Sequence, residues 1–124
     1  YKSSGKTQLS VMQVDGPDIS KYGVIKRGIN NGPIIGLIEK PKFKNAPSNM
    51  ASIGRYILNP NIFEIIKNQP KGSGGEIQLS DAINTQALQG EVEAVKLRGK
   101  RFDCGDVRGY LDAITYTAEF YKDL

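Results

Sequence analysis

The sequence predicts an α/β or α+β domain, and three observations carry that expectation. Short β-rich runs crowd the chain up to Leu58, helical periodicity appears only after it, and one more β-like run separates the later helices. Glycine and proline mark the boundaries between these elements.

Taken in order, "QLSVMQV" (Gln8 to Val14) alternates Leu9 and Val11 against Met12 and Val14, the pattern of a strand. "DGPD" (Asp15 to Asp18) is a turn. "YGVIK" (Tyr22 to Lys26) and "IIGLIEK" (Ile34 to Lys40) are separated by "NNGP", which predicts a hairpin. "MASIGRYIL" (Met50 to Leu58) is a further strand in which Gly54 marks a bulge or a close backbone approach. Pro60 suits a first helical position, with Ile62, Ile65 and Ile66 on one face. After the loop "PKGSGGE", "LSDAINTQAL" (Leu79 to Leu88) reads as a short amphipathic helix and "VEAVKL" (Val92 to Leu97) as a strand. Asp106 can cap a last helix whose Leu111, Ile114, Ala118 and Tyr121 form an apolar face. The first run, so close to Tyr1, would need neighbours on both sides in a parallel sheet. Together with the opening "YKSSG", which lacks methionine, this reads as a piece of a larger chain.

A length of 124 residues fits one domain, and 39% hydrophobic with 24% charged residues is a globular composition. The apolar runs fall far short of the roughly 20 residues of a membrane span. The single Cys104 excludes a disulfide framework and agrees with a cytoplasmic setting; it reads as a small buried side chain. Histidine is absent, so Ser-His and Cys-His catalysis within this chain is excluded. Any metal must sit on carboxylate oxygens, which favours Mg²⁺ or a similar hard cation. The three lysines around Phe43 in "KPKFKN" would suit nucleic acid, but a net charge of +4 is ordinarily a solvated face, and nucleic acid is not the expected partner.

Three stretches carry chemistry. In "YGVI", Gly23 lets a ligand approach the backbone, or merely eases strand packing. In "LIEKP", Glu39 and Lys40 either mark a strand surfacing into water or deliver an acceptor and a cation together to a ligand. In "FDCGD", Asp106 suits a helix cap, while Asp103 follows an aromatic residue at an expected strand end, where α/β sheets place ligands. "GSGG" lacks the ending of a P-loop.

In this order, "YGVI", "IEKP", "APSNMASIGRYIL", "GSGGEIQLSDAIN" and "FDCGDVRGYLDA" resemble the C-terminal part of bacterial UTP–glucose-1-phosphate uridylyltransferases, through nearly the whole chain. The resemblance implies a partial Rossmann-like nucleotidyltransferase fold with a mixed sheet. Residues 1–124 would be the C-terminal, sugar-phosphate-binding portion of a single nucleotidyltransferase domain. It implies formation of UDP-glucose and pyrophosphate from UTP and glucose 1-phosphate. By motif, Gly23 would hydrogen-bond a glucose hydroxyl through its backbone, Glu39 would accept from sugar hydroxyls, and Lys40 would bind the sugar phosphate. Asp103 would be one of two aspartates holding Mg²⁺, and with Lys40 would carry the catalysis. Tyr22, Ser52 and Gly54 would belong to the sugar pocket or its surroundings, with backbone contacts from Ser52 to Tyr56. Glu76 and Asp81 would fix a loop and a nearby basic group.

The family's glycine-rich nucleotide loop and its other metal aspartate are absent from these 124 residues. The resemblance therefore implies that UTP is bound by a missing half, that the fragment alone is inactive, and that the whole enzyme is a homo-oligomer without membrane attachment. A thymidylyl- or guanylyltransferase remains an alternative, as does a non-catalytic sugar-phosphate or nucleic-acid-binding module.

Overall fold

The computed structural model describes residues 1–122. Five strands form one mixed sheet: β1 (Thr7–Gln13), β2 (Gly23–Arg27), β3 (Ile34–Glu39), β4 (Met50–Ile57) and β5 (Val92–Lys96), in the order β3-β2-β4-β1-β5. β1 and β5 run parallel; the other neighbours are antiparallel, including the expected β2–β3 hairpin. The first strand thus finds both its neighbours within this chain, contrary to the expectation from a parallel sheet. The mixed sheet allows this, because the antiparallel β4 returns beside β1.

Between β4 and β5 the chain forms α1 (Ile62–Asn68) and α2 (Leu79–Leu88), and α3 (Val107–Phe120) follows β5. α1 starts after Pro60, not at it; Pro60 lies in the preceding turn, where its carbonyl accepts from the Phe63 amide at 3.2 Å. The alternation of each strand sorts its side chains onto two faces. One face, with Leu9, Val11, Ile25 and Leu37, packs against Ile62, Ala82, Ile83 and Ala87 of the helices. The other carries Val24 and Ala51 and is covered by Ile19, with Tyr22 and Ala46 at its margin. Burying a side chain such as Ile83 contributes about 1.5–3 kcal/mol, so the α2 seam is a principal source of stability.

Two polar devices set α2 on the sheet. Thr7 Oγ1 donates to Gln86 Oε1 at 2.6 Å, Gln86 Nε2 donates to Asn61 Oδ1, and the Asn59 amide closes on Thr7 Oγ1 at 2.9 Å. Thr7 and Gln86 are fully buried, so their satisfaction is obligatory. At the sheet edge, Asn84 Oδ1 accepts from the Leu37 amide at 2.6 Å while its Nδ2 donates to the Leu37 carbonyl at 3.1 Å. Asn84 therefore occupies the place of a neighbouring strand beside β3.

β4 carries the expected bulge. Its partners run Leu9↔Tyr56 and then Val11↔Ser52, so β4 uses four residues where β1 uses two. Gly54 stands inside that insertion at φ +76°, a conformation glycine adopts without strain.

α3 differs from expectation. Asp106 caps it as predicted, accepting from the Gly109 amide at 2.8 Å. Yet Leu111, Ile114 and Tyr121, expected on a core face, are 53%, 48% and 53% exposed. The half-buried side of α3 is Gly109, Ala113 and Tyr116, where small residues let the preceding loop lie close. Cys104, read as buried, is exposed because it sits in the turn that leads into this helix. Among the described residues no helix is long and apolar enough to cross a membrane.

The Asn84 contact gives a direct test. Asn84→Ala leaves both Leu37 backbone groups without their side-chain partner, and we expect a loss of about 2 kcal/mol in urea unfolding with an unchanged denaturant slope. A stability equal to wild type would show that solvent satisfies this edge equally well.

Candidate functional site

The pairing of the sheet places the predicted residues in register. Gly23 is the Cα partner of Glu39 on one side and of Ser52 on the other, so the three form a row across β3, β2 and β4. Residues directly opposite share a face, here the face covered by α1 and α2. A Cβ added at Gly23 would lie 3.0 Å from Glu39 Oε2 and 3.2 Å from Leu37 Cδ1. The missing side chain at Gly23 therefore leaves room for the Glu39 carboxylate beside β2, and a larger residue would push it aside. Ser52, nearly buried, donates to Tyr56 Oη at 3.4 Å.

Lys40 solves a geometric difficulty. Successive side chains of a strand point to opposite faces, so Glu39 and Lys40 should diverge. Lys40 instead takes φ +44°, in the left-handed region uncommon for a residue with a side chain. Proline at the next position ordinarily favours an extended conformation, which makes the geometry more unusual. The Lys40 amide is held by the Tyr22 carbonyl at 3.0 Å, and Pro41 is buried behind it. With the chain bent there, Glu39 and Lys40 line the same cleft of about 390 Å³, together with Tyr56 and the start of α2 at Gln78, Leu79 and Ser80. The first turn of a helix presents amide donors and partial positive charge, so this wall favours anions as Lys40 does. In the turn before β2, Lys21 is engaged by Asp18 at 2.9 Å; that hydrogen bond and the aspartate's charge raise its pKa above the usual lysine value. A larger groove of about 460 Å³ between α1 and α2 contains none of the predicted residues.

The other candidates fall around this cleft in different ways. Tyr22 packs on the opposite face of the sheet and acts on the site through its carbonyl. Gly54 is exposed in the bulge, and it is Tyr56, after the bulge, that reaches the cleft. Asp81 Oδ2 lies so close to Gly72 that a Cβ there would displace the carboxylate, and the Gly72 amide bonds the Glu76 carbonyl at 2.8 Å. Asp81 and the Glu76 backbone thus shape the loop before α2. Among the described residues neither makes an ion pair, so the expected basic partner is missing.

Asp103 is not at a strand end. β5 stops at Lys96, and Asp103 lies farther on, in the loop that α3 follows. That loop is anchored by Phe102 on the Tyr116 ring, 5.3 Å between centroids, and by Lys100 Nζ 4.6 Å from the same ring. Asp103 Oδ1 accepts from the Gly105 amide at 3.1 Å, and Oδ2 lies 3.5 Å from Arg101 Nη2. Among the described residues no three His, Cys, Asp or Glu groups converge as a metal site. Mg²⁺ commonly uses one or two protein carboxylates, with water and substrate phosphates completing its shell. The exposed Asp103 carboxylate fits one such ligand.

Two residues escaped the sequence reading. Arg101 joins the Asp103 loop to Tyr22, and the basic pair before "FD" was its only signal. Gly109 is the other: a Cβ there would collide with the Asp103 carbonyl. A glycine in the first turn of a helix, where it costs about 1 kcal/mol against alanine, is the clue that could have exposed it. Gly109→Ala should therefore destabilise by about 1–3 kcal/mol through overpacking, although helix propensity alone favours alanine. Urea unfolding reads the sign; a stabilised variant would refute the close approach.

The family model for nucleotidyl transferases matches residues 1–119. A UTP–glucose-1-phosphate uridylyltransferase of Pseudomonas aeruginosa is 46% identical over 126 residues, covering 98% of this chain and 45% of the relative. A crystal structure of UDP-glucose pyrophosphorylase complexed with UDP-glucose superposes with TM-score 0.81 at 39% identity, covering 100% of this chain and 47% of that one. A UTP-bound enzyme of the same kind from Acinetobacter baumannii gives TM-score 0.79 at 35% identity, over 96% and 42%. The chain spans just under half the length of these relatives. From the matched residues and the shared fold, the chain belongs to the nucleotidyl transferase family.

Proposed function

We propose that this chain is the C-terminal, sugar-phosphate-binding portion of a single nucleotidyltransferase domain in a UTP–glucose-1-phosphate uridylyltransferase. The observation that carries the reading is the bend at Lys40, which brings a carboxylate and an ammonium to one cleft beside a helix start. A sugar phosphate needs both: an acceptor for hydroxyls and a compact cation for phosphate. The similarity to uridylyltransferases supports uridylyl over thymidylyl or guanylyl transfer.

In this reading a phosphate oxygen of glucose 1-phosphate attacks the α-phosphorus of UTP in line. A new P–O bond forms, the bond to the β-phosphate oxygen breaks, and pyrophosphate leaves with that electron pair. The nucleophile is already anionic, so a chain without histidine meets the chemical requirement. Orientation and neutralisation of phosphate charge remain, and this chain's residues divide that work. Glu39 accepts from sugar hydroxyls, the Gly23 backbone gives a hydroxyl room to approach, and Lys40 holds the phosphate. Ser52 and Tyr56 wall the sugar, with Tyr22 and Gly54 setting the backbone behind them. Glu76 and Asp81 shape the loop entering α2. Asp103 supplies one carboxylate to Mg²⁺, which when bound neutralises phosphate oxygens. UTP binding falls to the part of the enzyme outside this chain.

Kinetics of the full-length enzyme test these roles. Lys40→Ala should raise the KM for glucose 1-phosphate and lower kcat/KM roughly 10²-fold. Asp103→Ala should mainly depress the metal-dependent rate. The isolated, contaminant-free chain should form no UDP-glucose. Wild-type kinetics in either variant would remove the corresponding role, and product from the isolated chain would overturn its reading as a partial site. A panel of nucleoside triphosphates given to the full-length enzyme decides among uridylyl, thymidylyl and guanylyl transfer.

A further inference from the structure

The geometry points to Arg101 as a positioning residue that locks the Asp103 loop onto Tyr22 and so sets the distance between the metal aspartate and Lys40. The inference rests on the function proposed above and assigns a residue that reading does not use. Arg101 is anchored at three points. Its Nη1 donates to Tyr22 Oη at 3.2 Å, its guanidinium carbon lies 5.2 Å from the centroid of the Tyr22 ring, and its Nη2 lies 3.5 Å from Asp103 Oδ2. The side chain is 27% exposed, held more closely than its aspartate partner at 60%.

The backbone continues the connection. The Tyr22 carbonyl binds the amide of Lys40, the residue whose left-handed bend turns its side chain into the cleft. Tyr22 therefore touches the two halves of the site by different groups, its carbonyl towards Lys40 and its ring and hydroxyl towards Arg101. Without Arg101, the described contacts of the Asp103 carboxylate reduce to the Gly105 amide within its own loop. The task suits arginine in particular. A planar guanidinium can lie against a ring while its separate N–H groups reach a hydroxyl and a carboxylate, which a lysine ammonium does not reproduce.

Charge and position predict opposite outcomes. A cation beside a metal-binding carboxylate repels the metal, so its removal alone would tighten metal binding. Loss of a positioning contact weakens it, commonly by about 10-fold or more for groups that orient a metal ligand. The experiment is a titration of the full-length enzyme with Mn²⁺ alone, read by electron paramagnetic resonance, for wild type, Arg101→Met, Arg101→Lys, Tyr22→Phe and Asp103→Ala. Arg101→Met is expected to weaken Mn²⁺ binding by roughly 10-fold, Arg101→Lys to do so too, and Tyr22→Phe to have a smaller effect. The KM for glucose 1-phosphate should rise in Arg101→Met through the Tyr22 link. If Arg101→Met does not fold, Arg101→Lys and Tyr22→Phe carry the test. Unchanged or tighter Mn²⁺ binding in a folded Arg101 variant, beside weakened binding in Asp103→Ala, overturns the role of Arg101 alone. Unchanged binding in Asp103→Ala removes the metal reading and the positioning role with it.

Discussion

The site depends on one side chain that is not part of it. β3 is an edge strand, and an edge leaves backbone donors and acceptors unpaired. Asn84 satisfies one amide and one carbonyl of Leu37 from the side of α2. Gly36 makes room for it, since a Cβ there would stand 3.3 Å from Asn84 Oδ1. The contact sets the position of α2 against the strand that ends in Glu39 and Lys40. The cleft lies between those two elements, so the separation of its walls is set largely by this pair of hydrogen bonds.

Gln86 acts on α2 in a complementary way. It is buried with Thr7 and connects α2 to β1 and to the start of α1. Apolar packing is non-directional, so it specifies the register of a helix on a sheet less sharply than directional hydrogen bonds do. Two amide side chains, one reaching the edge strand and the other the interior, give α2 a fixed register. Stability here comes mainly from Ile83, Ala82 and their neighbours, and position comes from the amides.

The sequence made the elements legible where local chemistry was decisive. α2 falls on Leu79–Leu88 as its periodicity indicates, Asp106 caps α3, and Gly54 marks a bulge. Each follows from residues close together in the chain. What was not legible depends on distant partners. A polar residue in the middle of a helix gives no sign that it will complete a strand 47 positions away, as Asn84 does. The i, i+3 pattern of α3 identified an apolar face, but the half-buried residues of that helix are Gly109, Ala113 and Tyr116 instead. The site was half-legible for the same reason. "EKP" announced its charges, while the backbone turn that makes them neighbours, and the Arg101 bridge to Asp103, exist only once the sheet has formed.

The left-handed backbone at Lys40 also bears on how a ligand would be met. Holding a residue with a side chain in such a region costs on the order of 1–3 kcal/mol, which the surrounding fold sustains through the Tyr22 carbonyl and buried Pro41. Those contacts are made within the fold itself and include no group from a ligand. Association then needs to quiet only the Lys40 side-chain rotamers, with the main chain already in its bent form. The strand end would then meet an anion as a mould and not as a clasp, since its bend is fixed by contacts of the fold.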